Sequence, residues 1–357
     1  MPALRYVSGG GAGAGPGTGE RAYAYAKACG IIGKSFVGSR TGNLGKAERL
    51  SELDRLIFPE TFQNLPEKEL LHNLEARITA RAVASIIRVI KGFSEIPEIL
   101  ILLLRSYEYA DLKNLLVSAV NREKSAPPHA DLGQFQTLRF KKWPDIKAMI
   151  KDSEFEFLLD KKGALIEEPG NIKLEAALDR HYYLAVWKAL EALPASDKRV
   201  TERIIAEEIS LRNSGWALRL RKFYRMKAEE VKQYLLDIPL GGKKGRGKSL
   251  ASDAIRSLEY PLDNYQPWSS WRWKEFLNPN TGAGFWQADP RHFQNAASKY
   301  LYKLARRSFR IRPSSLDAVF CFVKTIQFEE DVLTSGAEGL GMGLSGKEIL
   351  VMLGLAP

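Results

Sequence analysis

Eight consecutive residues, Gly242-Lys-Lys-Gly-Arg-Gly-Lys-Ser249, match the G-x-x-x-x-G-K-[ST] pattern of phosphate-binding loops. In such a loop, backbone N–H groups surround the phosphates, the lysine reaches the β- and γ-phosphates, and the hydroxyl ligates Mg²⁺. The flanks fit this pattern in part, because Tyr234–Ile238 could form a strand and Leu250–Leu258 could form a helix. The segment is therefore a candidate nucleotide-binding site.

The wider sequence does not supply the other parts of a nucleotide-binding domain. Such a domain needs several parallel strands, one of which ends in an aspartate that binds Mg²⁺. The apolar run after Ser249 is Ala318–Val323, and its aspartate, Asp317, precedes the run instead of following it. We therefore predict a flexible basic loop between helical units. A nucleotide hydrolase, in which Lys248→Ala would abolish nucleotide binding, is kept as an alternative.

No other pattern indicates a cofactor or a metal. Residues 1–19 are rich in Gly and Ala and predict a flexible leader, although Gly9-x-Gly11-x-x-Ala14 distantly matches a dinucleotide-binding pattern. The four histidines never stand at the spacing of a metal-ligand pair, and two cysteines are too few for a zinc site. We predict no cofactor, no metal site and no catalytic centre.

A short helical pattern occurs three times along the chain. A pattern that recurs in widely separated parts of one chain is typical of duplicated helical modules, which build scaffolds and interaction surfaces. Three copies predict a pseudo-threefold body. The copies are Glu108-x-x-x-Leu112-Lys113-Asn114, Glu207-x-x-x-Leu211-Arg212-Asn213 and Glu329-x-x-x-Leu333-Thr334-Ser335.

An arginine stands near the start of the helix that precedes each copy. A carboxylate that is buried on a helix needs a partner, and this arginine is the nearest candidate in sequence. We predict that each arginine forms an ion pair with the glutamate of its own module, the alternative being that these acids contact a partner protein. The predicted pairs are Arg77 with Glu108, Arg180 with Glu207, and Arg291 with Glu329.

Helical periodicity supplies the elements that position these residues. Each module is predicted to contain a helix, a tight turn with Ser or Pro, and a second helix that carries the repeated pattern. The predicted pairs are Leu74–Phe93 with a helix to about Val120, Leu174–Leu193 with Lys198–Tyr224, and Arg291–Ser308 with Ser315–Ser335. Shorter helices are predicted within Leu53–Phe62, Ile146–Leu159, Lys227–Leu236 and Ala254–Tyr265.

No stretch alternates in the manner of a strand, so the predicted fold is all-α. It consists of three similar helical modules in a pseudo-threefold arrangement. We place the flexible leader at residues 1–19 and the modules at 20–125, 126–240 and 241–357.

The formal net charge is +11, which favours an acidic partner. From charge alone we predict partner contacts in the basic helix Arg219–Lys227 and in the loop Gly241–Ser249. Three clustered tryptophans, Trp268, Trp271 and Trp273, could stack on nucleic-acid bases, but we expect them to pack in the core. The predicted contact residues are Arg219, Arg221, Lys222, Lys243, Lys244, Arg246 and Lys248.

No segment predicts a membrane crossing. The strongly apolar run Ile99–Leu104 is far shorter than the roughly 20 residues that a spanning helix needs. No secretion signal is visible, and Cys29 and Cys321 need not pair, which fits a reducing compartment. We expect a protein of the reducing, cytosolic compartment.

The chain resembles the C subunit of bacterial and archaeal V/A-type rotary ATPases, which corresponds to the d subunit of eukaryotic vacuolar ATPases. The resemblance covers roughly residues 20–355. It rests on the order of the similar segments and on the triplication of the helical pattern. Gly241 and Gly242 stand where the family commonly has Gly-Gly, whereas Thr334-Ser335, the leader and Lys243–Lys248 depart from the family. The similar segments are Tyr23–Lys27, Arg105–Asn114, Leu178–Tyr183, Glu208–Asn213, Leu218–Arg221, Lys227–Glu230 and Tyr234–Leu236.

This resemblance implies a non-catalytic, funnel-shaped rotor component. Members of the family lie on the cytoplasmic face of the proteolipid ring and receive the foot of the central shaft, subunits D and F. They transmit torque between ATP hydrolysis or synthesis and ion transport. The positive charge could seat the protein near anionic lipid headgroups, and no nucleic acid is expected as a partner. The alternative is an all-α, basic nucleic-acid-binding protein with strongly salt-dependent binding.

Overall fold

The computed structural model describes residues 17–167, 171–240, 248–280 and 284–355, and all the regular structure within them is helical. The predicted all-α class is confirmed. The α-helices are α1 (Thr18–Ile32), α2 (Thr41–Leu44), α3 (Leu50–Ile57), α4 (Glu67–Ile90), α5 (Glu98–Val120), α6 (Ile146–Ile150), α7 (Ile172–Glu191), α8 (Ala195–Phe223), α9 (Ala228–Lys232), α10 (Ser252–Ser257), α11 (Pro290–Ile311), α12 (Leu316–Gly341) and α13 (Gly346–Met352).

Six long helices form the three predicted hairpins, which are α4 with α5, α7 with α8, and α11 with α12. Pro97 and Pro194 stand at the N-caps of α5 and α8. Ser315 caps α12, because its hydroxyl accepts a hydrogen bond from the amide of Ala318 at 3.1 Å. α8 continues through Gly215 without a break. Within the described ranges, no helix combines the length and the apolarity that a bilayer crossing requires.

Two of the long helices extend beyond their predicted bounds by about two turns, whereas α8 and α11 exceed theirs by less than one turn at either end. α4 begins at Glu67 instead of Leu74, because Leu70 is buried and lengthens the apolar stripe by a turn. α12 ends at Gly341 instead of Ser335, since its last two turns still pack into the core. Tertiary packing thus decides where these helices stop.

Three lobes join the hairpins. Lobe A comprises residues 131–166, and lobe B comprises the described residues within 226–289. Lobe C is formed by residues 34–66 together with residues 343–355, where the Gly346 amide donates to the Ala47 carbonyl at 3.0 Å. The short helices predicted here are present but cover only part of the predicted ranges, as α3, α6, α9 and α10 show.

The hairpins pack against one another in cyclic order. α5 packs on α7, α8 packs on α11, and α12 packs on α4. The second helix of each hairpin therefore contacts the first helix of the next hairpin, and the last contact returns to the start. α12 also contacts α5 and α8, so the second helices face the interior.

The N-terminus of α1 joins two of the hairpin turns. A carboxylate oxygen of Glu20 accepts a hydrogen bond from the Ser94 amide, in the α4–α5 turn, at 2.9 Å. The guanidinium of Arg21 donates two hydrogen bonds of 2.8 Å to Asp197, which follows the α7–α8 turn. α1 thereby fastens the first hairpin to the second.

The third turn lies at the same end of the molecule. Arg312, between α11 and α12, donates to the Ser196 carbonyl at 2.7 Å and to Asp317 at 3.0 Å. Asp317 is buried at the start of α12 and accepts a bond from Thr201 of α8 at 2.9 Å. We call this end, where the three turns meet, the turn end.

The clustered tryptophans pack in lobe B, as predicted. Trp268 and Trp271 are at most 2% exposed, and Trp273 is also buried. The indole N–H of Trp268 donates to the Pro261 carbonyl, and that of Trp271 donates to the Asp253 carbonyl. These three rings are therefore not available for stacking on bases.

Candidate functional site

The inner helices α5 and α12 meet through polar contacts about halfway along their length. The side-chain amide of Gln327 donates to the Leu103 carbonyl at 3.2 Å and to the Ser106 hydroxyl at 3.0 Å. One turn further, the Tyr107 hydroxyl donates to the carboxylate of Glu330. These contacts identify the face of each helix that points toward the other.

α8 meets α12 at the same level. The ammonium group of Lys324 lies 2.7 Å from the carboxylate of Glu208. The Tyr183 hydroxyl of α7 donates to the same carboxylate at 3.1 Å. Lys324 and Glu208 therefore mark the faces of α12 and α8 that point inward.

Beyond this level the inward faces are no longer covered. Residues three, four or seven positions apart share one helix face, so the inward stripes can be followed toward the C-termini. Near Glu330 the residues on these stripes are buried or form polar contacts. One to three turns further along each helix, the residues on the same stripes are exposed or half-exposed. We call these uncovered stretches of the three inner faces the central opening. The central opening is lined by Ala110, Asn114 and Val117 of α5, Arg212 and Arg219 of α8, and Asp331, Ser335 and Glu338 of α12.

The α12 side of the central opening is acidic. Glu338 is exposed, and the side chain of Asp331 is exposed as well, although protein atoms crowd around its carboxyl and shield it from bulk water. The surrounding protein desolvates the Asp331 carboxyl and the charge of Glu330 opposes its ionisation, which raises the pKa of Asp331 to about 7 although Lys324 acts in the other direction. Burial also raises the pKa of Glu330, against the effect of its hydrogen bonds from Thr79 and Tyr107.

The α8 side of the central opening is basic. Arg212 contacts Asp179 of α7, and Lys113 of α5 lies 2.5 Å from the same carboxylate. Burial alone would raise the pKa of Asp179, but the two cations hold it below its usual value. Arg219, two turns beyond Arg212, is exposed. One acid thus joins three helices, and Arg219 adds a further positive charge to this side.

The glutamates of the repeated pattern point away from the central opening. Glu108 is fully buried and accepts hydrogen bonds from the amides of Thr137 and Leu138, at 2.6 and 2.8 Å. It fastens α5 to lobe A. Glu329 is also buried and accepts from the Phe36 amide at 2.8 Å, which fastens α12 to lobe C.

The predicted ion pairs within each module are wrong. Arg77 lies 2.6 Å from Asp54 and also donates to the Thr61 carbonyl. Arg180 donates to the carbonyls of Gln233 and Leu235. Arg291 is exposed and lines a surface cavity of about 510 Å³.

The glutamates have other partners because each faces the loop beside its own helix. Glu108 and Glu329 accept hydrogen bonds from backbone amides, and Arg81 also lies 3.2 Å from Glu329. Glu207 has Arg272 of lobe B as its partner, at 2.6 Å. Sequence spacing could not indicate these partners, which come from distant segments.

The two asparagines of the pattern also differ in role. Asn213 is buried, and its amide group bonds the Leu236 amide and the carbonyls of Leu236 and Leu250. It holds together the two ends of the segment between α9 and α10. Asn114 is exposed in the central opening. The shared pattern therefore marks equivalent helices but not equivalent side-chain functions.

The predicted contact residues lie in several places. Arg219 lines the central opening, and Lys248 is exposed. Arg221 donates to the carbonyls of Ser257 and Tyr260, and burial lowers its pKa. Lys222 donates to a carbonyl of lobe B at 2.9 Å. Arg221 and Lys222 therefore hold lobe B on α8, while Lys243, Lys244 and Arg246 lie outside the described residues.

The phosphate-loop pattern lies largely outside the described residues as well, from Gly242 to Gly247. Its flanks are joined by an isolated antiparallel bridge between Pro239 and Ser249. The preceding segment, Tyr234–Ile238, contains no strand. In the described parts of the chain, no group of His, Cys, Asp or Glu side chains could hold a metal ion.

Two comparisons with known proteins bear on this arrangement. The sequence model of the ATP synthase (C/AC39) subunit family matches residues 40–351. An uncharacterized protein of Treponema pallidum (strain Nichols) is 27% identical over 319 residues, which is 89% of this chain and 92% of that protein. The family match contains all three hairpins and the residues that line the central opening.

Proposed function

The chain belongs to the ATP synthase (C/AC39) subunit family, and on this premise we propose that it is the central-stalk coupling component of a V/A-type rotary ATPase. In this role it has no catalytic site of its own. It caps the membrane proteolipid ring on the cytoplasmic side, as a peripheral protein, and joins the ring to the shaft subunits D and F. It transmits torque between ATP hydrolysis or synthesis and ion transport.

The cyclic packing of the three hairpins around the central opening is the observation that supports this role. It fits a pseudo-threefold, funnel-like body, with the turn end as the narrow side. A shaft end can enter the central opening, and the turn end then faces the proteolipid ring. The overall positive charge favours a position close to anionic lipid headgroups.

Torque transmission requires a body that resists twisting. Close-packed helices transmit strain, and a closed cycle of helix contacts distributes a force on one hairpin to the other two. The polar links between α5, α8 and α12 lie at the base of the central opening, where a shaft would press.

The module boundaries at 20–125, 126–240 and 241–357 remain a proposal. The contacts of lobe C support one refinement. Residues 34–66 pack with the C-terminal segment, so they belong with the third module in space although they precede the first hairpin in sequence.

The decisive test is a pull-down of the tagged full-length chain from gently solubilised native membranes, followed by mass spectrometry. Recovery of shaft subunits D and F together with the proteolipid, before and after nuclease treatment, supports the proposal. A preparation that contains nucleic acid and lacks ATPase subunits would overturn it and favour the nucleic-acid-binding alternative.

A further inference from the structure

Residues 130–138, which lead the chain into lobe A, are held on α5 by two carboxylates that lie one helical turn apart. We call these residues the entry segment. Asp111 is buried and accepts a hydrogen bond of 2.9 Å from the Ala130 amide. Glu108 accepts three hydrogen bonds from the other end of the segment. Both ends of the entry segment therefore depend on acids of α5.

The two carboxylates differ in how well their negative charge is stabilised. Glu108 has three donors, whereas Asp111 has the Ala130 amide and forms no ion pair within the part of the chain that the structure describes. Burial raises the pKa of Asp111 to about 7, with a further contribution from the charges of Glu108 and Glu330, although the bond from Ala130 lowers it. Below neutral pH the junction therefore holds a proton at Asp111.

The positive groups beside this junction pair with other acids. Arg105 of α5 lies 3.7 Å from Glu154 of lobe A, and burial raises the pKa of that carboxyl as well. Lys113 lies 2.5 Å from Asp179 of α7. The charge of an ionised Asp111 is therefore opposed by other acids and is not balanced by a cation among the described residues.

Two histidines near the junction have different surroundings. His181 of α7 shares a hydrogen bond of 2.7 Å with the Tyr109 hydroxyl, and burial lowers its pKa. His129 directly precedes the entry segment, is exposed, and stacks on Phe140 with 3.7 Å between the ring centroids. In the described ranges, neither imidazole forms a hydrogen bond or an ion pair with Asp111.

From this arrangement we propose that the contact between α5 and the entry segment is pH-sensitive, because Asp111 holds the segment in its neutral form and releases it on ionisation. A protonated carboxyl keeps an oxygen that accepts the Ala130 bond, and it is not repelled by Glu108. An ionised Asp111 lies buried among acids while the segment is closed, but it is hydrated once the segment opens. Closing is thus coupled to the uptake of one proton. This inference does not depend on the proposed function.

Linkage gives the sign and the size of the effect. The pKa of Asp111 is about 7 in the closed state and returns to its ordinary value of 3.8 when the segment opens into water. Protonation therefore favours the closed state fully below pH 3.8, and this advantage is lost as the pH rises through about 7. Between pH 6 and pH 8 the closing equilibrium constant should fall about tenfold.

Hydrogen exchange of the full-length chain tests this inference. It is measured by mass spectrometry between pH 6 and pH 8, corrected for the intrinsic exchange rate, under conditions where the rate reports the opening equilibrium. Protection of the entry segment should fall about tenfold across this range, while protection of α11 stays constant. Constant protection of the entry segment, or an equal loss throughout the chain, would overturn the proposal.

Three variants identify the group that is responsible. Asp111→Asn replaces the carboxyl by a neutral group of the same shape, so the entry segment should remain protected at pH 8. Glu108→Gln keeps an acceptor oxygen but removes an opposing charge, so the midpoint of the transition should move to lower pH. His129→Gln is the control, since it removes the imidazole next to the segment and should leave the pH profile unchanged.

The Glu108→Gln result does not require that Asp111→Asn folds, so the two variants are independent tests. An unchanged midpoint in Glu108→Gln would overturn the role of Asp111. A full pH profile in a folded Asp111→Asn variant, or the loss of the profile in His129→Gln, would have the same consequence.

Discussion

At Glu108, one buried carboxylate accepts hydrogen bonds from two consecutive backbone amides and from the Thr137 hydroxyl. Burial raises the pKa of this carboxyl, while the three hydrogen bonds act in the opposite direction. The buried carboxylate is the acceptor for these three donors. Its role is thus to hold lobe A on α5.

Removal of this carboxylate should therefore destabilise the protein. We expect Glu108→Ala to lower the free energy of unfolding by about 2–4 kcal/mol, since several buried donors lose their acceptor. Glu207→Ala should cost less than about 1 kcal/mol, because its partner Arg272 is 48% exposed. Chemical denaturation followed by circular dichroism measures both values. Equal losses for the two variants would contradict this account.

Asp331 should make shaft binding depend on pH. Desolvation and the negative charge of Glu330 raise the pKa of Asp331 to about 7, while the positive charge of Lys324 lowers it. Tyr107 of α5 and Glu208 of α8 lie at the same level of the helices. A cationic partner group favours the ionised carboxylate, so protonation at low pH must weaken binding. Between pH 8 and pH 6 we expect the dissociation constant to rise about tenfold.

Titration calorimetry or surface plasmon resonance across this pH range measures the effect. Asp331→Asn should bind more weakly at pH 8 and should lose most of the pH dependence. Glu338→Gln serves as the comparison, because it removes a charge from the same side but leaves Asp331 in place. A variant Asp331→Asn that kept the full pH dependence would exclude Asp331 as its source.

At the scale of elements, helix α1 links hairpins that are distant in sequence. It precedes the family match, which begins at residue 40, yet it packs on both α4 and α12. Its bidentate contact with Asp197 is largely shielded from solvent, since the aspartate side chain is only 2% exposed. α1 is therefore part of the folded body and contributes to its closure at the turn end.

A double-mutant cycle with Arg21→Ala and Asp197→Ala should reveal this link. We expect a coupling energy of about 2 kcal/mol, because either single variant leaves a charged group partly buried without its partner. The pair Arg139 and Asp152, whose side chains are 47% and 58% exposed, should give less than about 0.5 kcal/mol. Hydrogen exchange should also become faster in α1 in the two Arg21 and Asp197 variants. Similar coupling in both pairs would refute a special role for α1.

At the scale of the whole molecule, lobe C supports the contact between α12 and α4 that closes the cycle of hairpins. Lobe C combines α2 and α3 from the N-terminal side with α13 from the C-terminal side. The contact is close at Gly346, where an added Cβ would lie 2.6 Å from the Ala47 carbonyl oxygen. A glycine is required here because backbone occupies the space.

We expect Gly346→Ala to separate α13 from lobe C and to destabilise the protein by about 1–3 kcal/mol. It should also reduce shaft binding, because the contact between α12 and α4 loses its support. Gly42→Ala is the matched control, since no atom lies within 4 Å of the added Cβ. Thermal unfolding and hydrogen exchange in α13 measure the effect. Wild-type behaviour of Gly346→Ala would show that lobe C does not support the closing contact between α12 and α4.

Local sequence patterns determined the helices and their pairing into hairpins. Apolar periodicity, Pro97, Pro194 and the Ser315 cap act over a few residues, so their effects can be deduced without a fold. The burial of the three tryptophans was also predictable, because large aromatic groups gain most from the core. The ordered set of similar segments likewise indicated the family to which the chain belongs.

Only the tertiary structure decided which side chains meet. The partners of Glu108 and Glu329 are backbone amides about 30 and almost 300 residues away, and no spacing rule relates them. The exposure of the inner faces of α5, α8 and α12 toward the helix C-termini likewise depends on distant segments. Sequence periodicity fixes which residues share a helix face, but the packing of all three hairpins determines whether that face is covered.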